Sequence, residues 1–150
     1  MKHSKSISSI RPMIIADIES VFGIEKVNSP SAWSLKQFSE SLQCINVLTV
    51  NDAVIGFVSV LEAAGQAELQ NISIHPDFHG LGYGELLLRD AIETLSSDTK
   101  QLYLEVRVSN FSAIRLYKKL GFKDVGNRKD YYATEFGRED AILMSLGVIS

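Results

Sequence analysis

Apolar and polar positions follow two rhythms along this chain. Stretches repeating every two residues predict strands, and stretches repeating every three to four predict helices. Ser6 to Arg11 reads as a short first strand. After Pro12, Ile14, Ile18, Val21, Phe22 and Glu25 fall at helical spacing, and Asn28, Ser29 and Pro30 break the helix. Ser34 then opens a short helix with Gln37 three residues on, a capping-box pattern. Trp33 before it and Phe38 at the fourth helical position have the spacing of a hydrophobic staple. Ile45 to Val50 and Val54 to Leu61, joined by Asn51-Asp52, predict a hairpin. Glu68 to Ile74 predicts a strand ended by Pro76.

Glu85 to Leu95 predicts an amphipathic helix with Leu88, Ala91, Ile92 and Leu95 on one stripe. Leu102 to Val108 predicts a strand. Phe111 to Leu120 predicts a second strong helix, with Ala113, Leu116, Tyr117 and Leu120 on one face and Gly121 as its stop. Phe122 to Gly126 and Ala141 to Leu146 predict two last strands around a polar, aromatic loop. The order is β-α-α-β-β-β-α-β-α-β-β. Hairpins mixed with βαβ crossovers predict an α+β fold on a mixed sheet. With no repeat, low-complexity tract or linker in view, residues 1–150 read as a single domain.

Composition narrows the function classes. The 150 residues are 45% hydrophobic and 22% charged, with a net charge of -3 and a pI near 5.6. That balance argues against a nucleic-acid binder working through a broad basic surface. A single cysteine, Cys44, excludes a disulfide framework within the chain and suits a reducing cytoplasm. It lies in the apolar stretch Leu42 to Val50 and reads as a small buried hydrophobe rather than a nucleophile. No apolar run approaches the length of a membrane span, and Lys2 and Lys5 precede no stretch fit for a signal peptide. The expectation is a cytoplasmic protein.

The chemistry concentrates between Asn71 and Phe122. The strand Asn71-Ile72-Ser73-Ile74 runs into His75-Pro76-Asp77-Phe78-His79-Gly80-Leu81-Gly82-Tyr83-Gly84 and then the helix from Glu85. Three glycines at alternate positions let backbone lie close to a ligand. The N–H groups of the helix start then point at an anion such as a pyrophosphate. Glu85 and Leu87 exclude the dinucleotide fingerprint, and no Gly-Lys-Ser/Thr follows to make a P-loop. Taken alone, the glycines are equally a flexible turn. The next strand carries Glu105, a carboxylate in a mostly apolar run, and the helix after it carries Tyr117, with Asn110 near its start. Singly these read as a solvent-facing residue, a packed aromatic and an N-cap. Together Glu105 and Tyr117 offer a base and an acid of the kind an acyl transfer needs. His75 and His79, four apart around Asp77, lie in a Pro- and Gly-bearing loop with no third ligand evident, so no metal is expected.

These residues resemble the coenzyme A motif of the GNAT superfamily of N-acetyltransferases. The family pattern Gln/Arg-x-x-Gly-x-Gly/Ala maps onto His79-x-x-Gly82-x-Gly84, and the resemblance runs from Ile10-Arg11-Pro12 to the last strand. It is closer to the RimI-type ribosomal-protein-alanine N-acetyltransferases. The shared stretches include Leu104-Glu105-Val106-Arg107, Leu116-Tyr117, Leu120-Gly121-Phe122, Tyr131-Tyr132 and Gly137-Arg138-Glu139-Asp140-Ala141. His79 stands where the family has Gln or Arg, and Gly80 where RimI-type enzymes often carry Arg. Because the family's phosphate contacts are mainly backbone, binding is expected to survive, with affinity lowered or made pH-sensitive through His79.

The resemblance implies a three-layer α/β sandwich. Its sheet would be mostly antiparallel, with helices on both faces and one splayed parallel strand pair. It implies acetyl-coenzyme A as co-substrate, with no metal. Ile72, Ser73, Ile74, His79, Gly80, Leu81, Gly82, Tyr83, Gly84, Glu85 and Asn110 would hold the cofactor, its pantetheine arm pairing with Ile72 to Ile74 as an added strand. Glu105 would take the proton of the attacking amine, and Tyr117 would donate one to the departing thiolate. A backbone N–H near Ile74 would hold the oxyanion. Tyr131 and Tyr132, in the loop between the last strands, and Trp33 opposite would wall a peptide groove. The implied acceptor is the N-terminal alanine of a ribosomal protein. A small amine or a lysine side chain is the alternative, and a non-catalytic acyl-coenzyme A sensor another. Neither nucleic acid nor membrane is an expected partner.

Overall fold

The computed structural model describes residues 7–29 and 32–148. Ser6 and Pro30, expected at the start of the first strand and the end of the first helix, lie outside them. In chain order the strands are β1 (Ser8–Pro12), β2 (Ile45–Val50), β3 (Ala53–Ala63), β4 (Gln66–Ile74), β5 (Gln101–Arg107), β6 (Lys123–Thr134) and β7 (Gly137–Gly147). The α-helices are α1 (Ile18–Asn28), α2 (Leu35–Glu40), α3 (Tyr83–Glu93) and α4 (Phe111–Lys119). The strands form one seven-stranded mixed sheet in the order β1-β2-β3-β4-β5-β7-β6. Strands β1–β2, β2–β3, β5–β7 and β6–β7 run antiparallel, and β4–β5 run parallel. The parallel register covers only Gln66 to Leu69 against Gln101 to Leu104. The chain divides into two compact units, Met1–Val60 with Asn71–Ala91, and Leu61–Gln70 with Ile92–Ser150.

In the first unit, Met13, Val21, Ile24, Phe38, Ile45, Val47 and Phe57 form a buried core. Its helices start where short-range chemistry dictates. Ser34 Oγ accepts from Gln37 N at 3.1 Å while Gln37 Oε1 accepts from Ser34 N at 2.8 Å, closing the expected capping box. The Trp33 and Phe38 rings lie 5.3 Å apart, as a staple requires. Strands β2 and β3 turn through Asn51 and Asp52, both at positive φ (50° and 68°), the backbone of a two-residue hairpin turn. Arg11 grips buried Asp17 through its two terminal guanidinium nitrogens at 2.7 and 3.0 Å, which holds the Asp17 carboxyl below the usual carboxylate range.

Gly56 on β3 has a packing reason of its own. A Cβ there would lie 2.5 Å from Ile74 Cδ1 and 3.0 Å from the Ser73 carbonyl oxygen. Gly56→Ala is therefore expected to destabilise the fold by about 1–3 kcal/mol and to push on the end of β4. A lowered denaturation midpoint would bear this out, and an unchanged one would refute it.

In the second unit, β5 alternates cleanly. Leu102, Leu104 and Val106 are buried, while Tyr103, Glu105 and Arg107 face the other way. Helix α4 is fixed at both ends. Asn110 Oδ1 accepts from Ala113 N at 3.3 Å at its start. At its end Phe122 N donates to Tyr117 O and Gly121 N to Lys118 O, with Gly121 at φ +102°. That is a Schellman ending, with its apolar contact supplied by the Tyr117 and Phe122 rings at 5.6 Å.

The last two strands are longer than their apolar patterns predict. Strand β6 is almost wholly exposed and lies at the sheet edge, so its charged residues suit a strand that must not recruit another. The absence of an apolar face is why it reads as a loop. Tyr131 and Tyr132 accordingly lie on β6, and not in a loop. Cys44 is half-buried at the end of a single 3₁₀ turn, Leu42–Cys44, rather than fully inside.

Candidate active site

The glycine loop builds an anion-ready helix start. Gly80 and Gly82 have φ of +75° and +86°, and a Cβ at either would meet nothing within 4 Å. Glycine is thus needed for backbone conformation, and the space around both positions is open. The Gly82 carbonyl accepts from Leu86 N at 3.0 Å, so Tyr83, Gly84 and Glu85 form the first turn of α3, the end of a helix whose N–H groups favour an anion. The Glu85 carboxylate accepts from Arg89 Nε at 2.9 Å. Leu81 between the glycines is 65% exposed.

His79 does not extend toward solvent as a long Gln or Arg could. Its Nε2 lies 2.6 Å from the carbonyl oxygen of Ile74, which fixes that nitrogen as the protonated one. The same carbonyl accepts from Asn28 Nδ2 at 2.7 Å, and Asn28 also donates to Ser73 Oγ at 2.6 Å. Asn28, read from sequence only as a helix breaker, therefore ties the end of α1 to the strand end. Three residues earlier, buried Glu25 accepts at Oε2 from Trp33 N at 3.0 Å and from Asn71 Nδ2 at 2.8 Å. A carboxylate on the core-facing stripe of α1 was the available signal for it. Ser73 and Ile74 are buried, and Ile72 is half-buried. His75 Nδ1 accepts from Asp77 N at 3.1 Å, an ordinary turn contact. Among the described residues no group of three His, Cys, Asp or Glu side chains is placed to hold a metal.

In the second unit a cavity of about 450 Å³ opens on the Glu105 face of β5. Its lining includes Glu105, Tyr103, Glu68, Leu143, Val125 and Arg128. Arg128 Nε lies 3.2 Å from Glu105 Oε1, and its guanidinium lies 5.2 Å from the centre of the Tyr131 ring. Arg107 lies over Tyr132 at 4.3 Å, and the two tyrosine rings meet edge to face at 5.0 Å. Burial, and then the neighbouring Glu105 carboxylate, push the Tyr132 hydroxyl's pKa up. The charged run after Gly137 shapes this strand. Asp140 Oδ1 accepts from Asp130 N at 2.9 Å and its other oxygen from Asn127, while Arg138 donates to the Asp130 carbonyl at 2.7 Å. These contacts pin the irregularity between Arg128 and Tyr132, where Asp130 takes a positive φ of 53°.

Tyr117 is 7% exposed on the buried face of α4. Desolvation, with a lesser effect from Tyr132, pushes its hydroxyl up to about 12. Asn110, assigned from sequence either to the cofactor or to a cap, caps α4. Trp33 is half-buried against the core as a staple.

The pattern of the acetyltransferase (GNAT) family matches residues 13–122. The chain belongs to the GNAT family of acetyltransferases. This GNAT protein is 35% identical over 146 residues to the ribosomal protein bS18-alanine N-acetyltransferase of Salmonella typhimurium, covering 95% of this chain and 99% of that one. The crystal structure of the ribosomal-protein-alanine N-acetyltransferase from Escherichia coli superposes with a TM-score of 0.90 at 34% identity over 96% of each chain. The NatC complex bound to Gag peptide and coenzyme A shares the fold, with a TM-score of 0.81 at 16% identity over 95% of this chain and 99% of that one.

Proposed function

We propose that the protein transfers the acetyl group of acetyl-coenzyme A to the α-amine of an N-terminal alanine, that of a small-subunit ribosomal protein. The observation that carries this acceptor is the 35% identity across nearly the full length of both chains with an alanine N-acetyltransferase. In support stand the glycine loop at the start of α3 and the Glu105-lined cavity with Tyr131 and Tyr132 beside it.

The pyrophosphate takes the N–H groups of the Gly80-to-Glu85 turn, and the pantetheine amides pair with the backbone of Ile72 to Ile74. An α-amine has a pKa of about 8, so at neutral pH most of it is the ammonium form. Glu105 accepts one proton from it, directly or through a water. The free amine nitrogen attacks the thioester carbonyl carbon, forming the C–N bond, while a strand N–H near Ile74 steadies the oxyanion. Collapse breaks the C–S bond, and the surplus proton on the new amide nitrogen passes, through solvent or the Tyr117 hydroxyl, to the departing coenzyme A sulfur. Tyr117 hydrogen-bonds the leaving sulfur, which ends as the thiol. Tyr131 and Tyr132 wall the acceptor side of the Glu105 cavity.

The test is thiol release from acetyl-coenzyme A with short peptides beginning in Ala, beside lysine peptides, polyamines and free amino acids. Mass spectrometry locates the acetyl group. One acetyl on the alanine α-amine is the expected result. Preferential acetylation of a polyamine or a lysine side chain moves the acceptor to those classes. Cofactor binding without turnover on any amine makes the protein a sensor.

A further inference from the structure

Glu105 is already occupied. Its Oε1 faces Arg128 Nε at 3.2 Å across the cavity wall that both residues line. The Arg128 side chain is 53% exposed and that of Glu105 only 26%, so the arginine is the partner free to move. The contact runs through Nε to one carboxylate oxygen, not through the two-pronged fork that makes an Arg–carboxylate pair tight. Tyr131 offers the guanidinium an aromatic face at 5.2 Å. Arg107 of β5 lies over Tyr132 at 4.3 Å and donates to the Ala133 carbonyl at 3.3 Å.

We propose that Arg128 is a displaceable counter-ion on Glu105, a positioning residue that holds the carboxylate in the empty enzyme and yields it to the acceptor's α-ammonium. This rests on the reading of Glu105 as the group that meets the acceptor amine. Acceptor and arginine carry the same charge and compete for one carboxylate. The arginine therefore sets a cost on acceptor binding and none on cofactor binding. An uncharged N-terminus has nothing to exchange with the guanidinium and does not displace it. Glu68, on the same cavity wall, receives no cation in this exchange and adds to the attraction for the incoming ammonium.

Binding of an Ala-initial peptide to coenzyme A-loaded protein, measured by calorimetry at low salt, tests this without chemistry. Arg128→Met is expected to tighten the peptide roughly two- to five-fold, the scale of a partly exposed ion pair. The gain should vanish near 1 M salt, where screening acts within about 3 Å. Arg128→Lys keeps the charge and is expected to bind like the parent. In a Glu105→Gln background the Arg128→Met gain should disappear, and a des-amino analogue of the peptide should show none in either background. Weaker or unchanged binding by Arg128→Met, or an equal gain for the des-amino analogue, overturns the proposal. Turnover of Glu105→Gln tests the base role separately. A fully active Glu105→Gln would remove that role while the binding cycle still decides whether the two side chains exchange partners.

Discussion

Glu105→Gln is expected to lower turnover of an Ala-initial peptide at pH 7 by about 10²–10³-fold while acetyl-coenzyme A binding stays at the parent level. Glutamine keeps the size of the side chain and can still meet Arg128, but it cannot take a proton. The residue sits on the exposed register of β5, opposite Leu143 of β7, while its neighbours Leu104 and Val106 hold the strand in the core. The substitution therefore changes the chemistry of the cavity without touching the packing beneath it. The defect has a defined pH dependence. At pH 7 roughly nine-tenths of an α-amine of pKa about 8 is protonated, and a base is needed to release it. Above pH 9 most of the amine is free without help. The ratio of parent to variant turnover should thus narrow by about tenfold between pH 7 and pH 9.5. A variant that loses nothing at pH 7 would remove Glu105 as the base. A defect that stays constant with pH would mean Glu105 takes its proton after attack, from the tetrahedral adduct.

Much of this arrangement was legible in the sequence because it rests on local rules. The Ser34–Gln37 capping box, the Trp33–Phe38 staple and the Asn51-Asp52 turn each depend on residues within a few positions, and each formed as the pattern predicts. The apolar face of α4 with Gly121 at its end correctly placed Tyr117 inward. The glycine loop was equally plain, since Gly80 and Gly82 occupy backbone that side-chain-bearing residues resist.

What was not legible depends on distant partners. Strand β6 has no buried face, so period-two alternation could not reveal it, and Tyr131 and Tyr132 read as loop residues. Its pairing is fixed instead by β7 and by Asp140 and Arg138 reaching across to Asp130. Glu25 and Asn28 carry no motif either. Their use comes from Asn71, Ser73 and Ile74, more than forty positions on in the chain. His79 shows the same limit. Resemblance marked it as a departure at a phosphate-facing position, whereas its ring closes onto the Ile74 carbonyl. The Arg128–Glu105 pair joins residues 23 apart, 128 less 105, on strands that are not sheet neighbours, and no spacing rule announces it.

Tyr117→Phe is expected to lower turnover by about ten- to a hundredfold, a smaller loss than that of Glu105→Gln, and the reason lies in its surroundings. Burial pushes the hydroxyl up to about 12, so it stays protonated at every pH at which the enzyme would be assayed. A simple thiol titrates near 8.5, so complete proton transfer from this tyrosine to the thiolate is uphill by roughly 5 kcal/mol. The hydroxyl's part is then to donate a hydrogen bond to the sulfur as charge builds, which is worth about 1.5–3 kcal/mol for a charged acceptor. Converted at about 1.4 kcal/mol per decade, that gives the stated loss. No limb of the parent's pH profile should belong to Tyr117 below about pH 10. The same burial predicts a stability effect with a definite sign. The folded pKa lies above the unfolded one, so this group's contribution is whole below about pH 10 and is lost as pH rises toward 12. The loss reaches roughly 2–3 kcal/mol across that window, and Tyr117→Phe should lack this part of the alkaline decline. Denaturant midpoints at pH 8 and pH 11 on both proteins measure it. Equal alkaline declines would show that the hydroxyl is not desolvated in solution. Unchanged turnover with unchanged acetyl-coenzyme A affinity would leave Tyr117 as a packing residue of α4, held by Phe122.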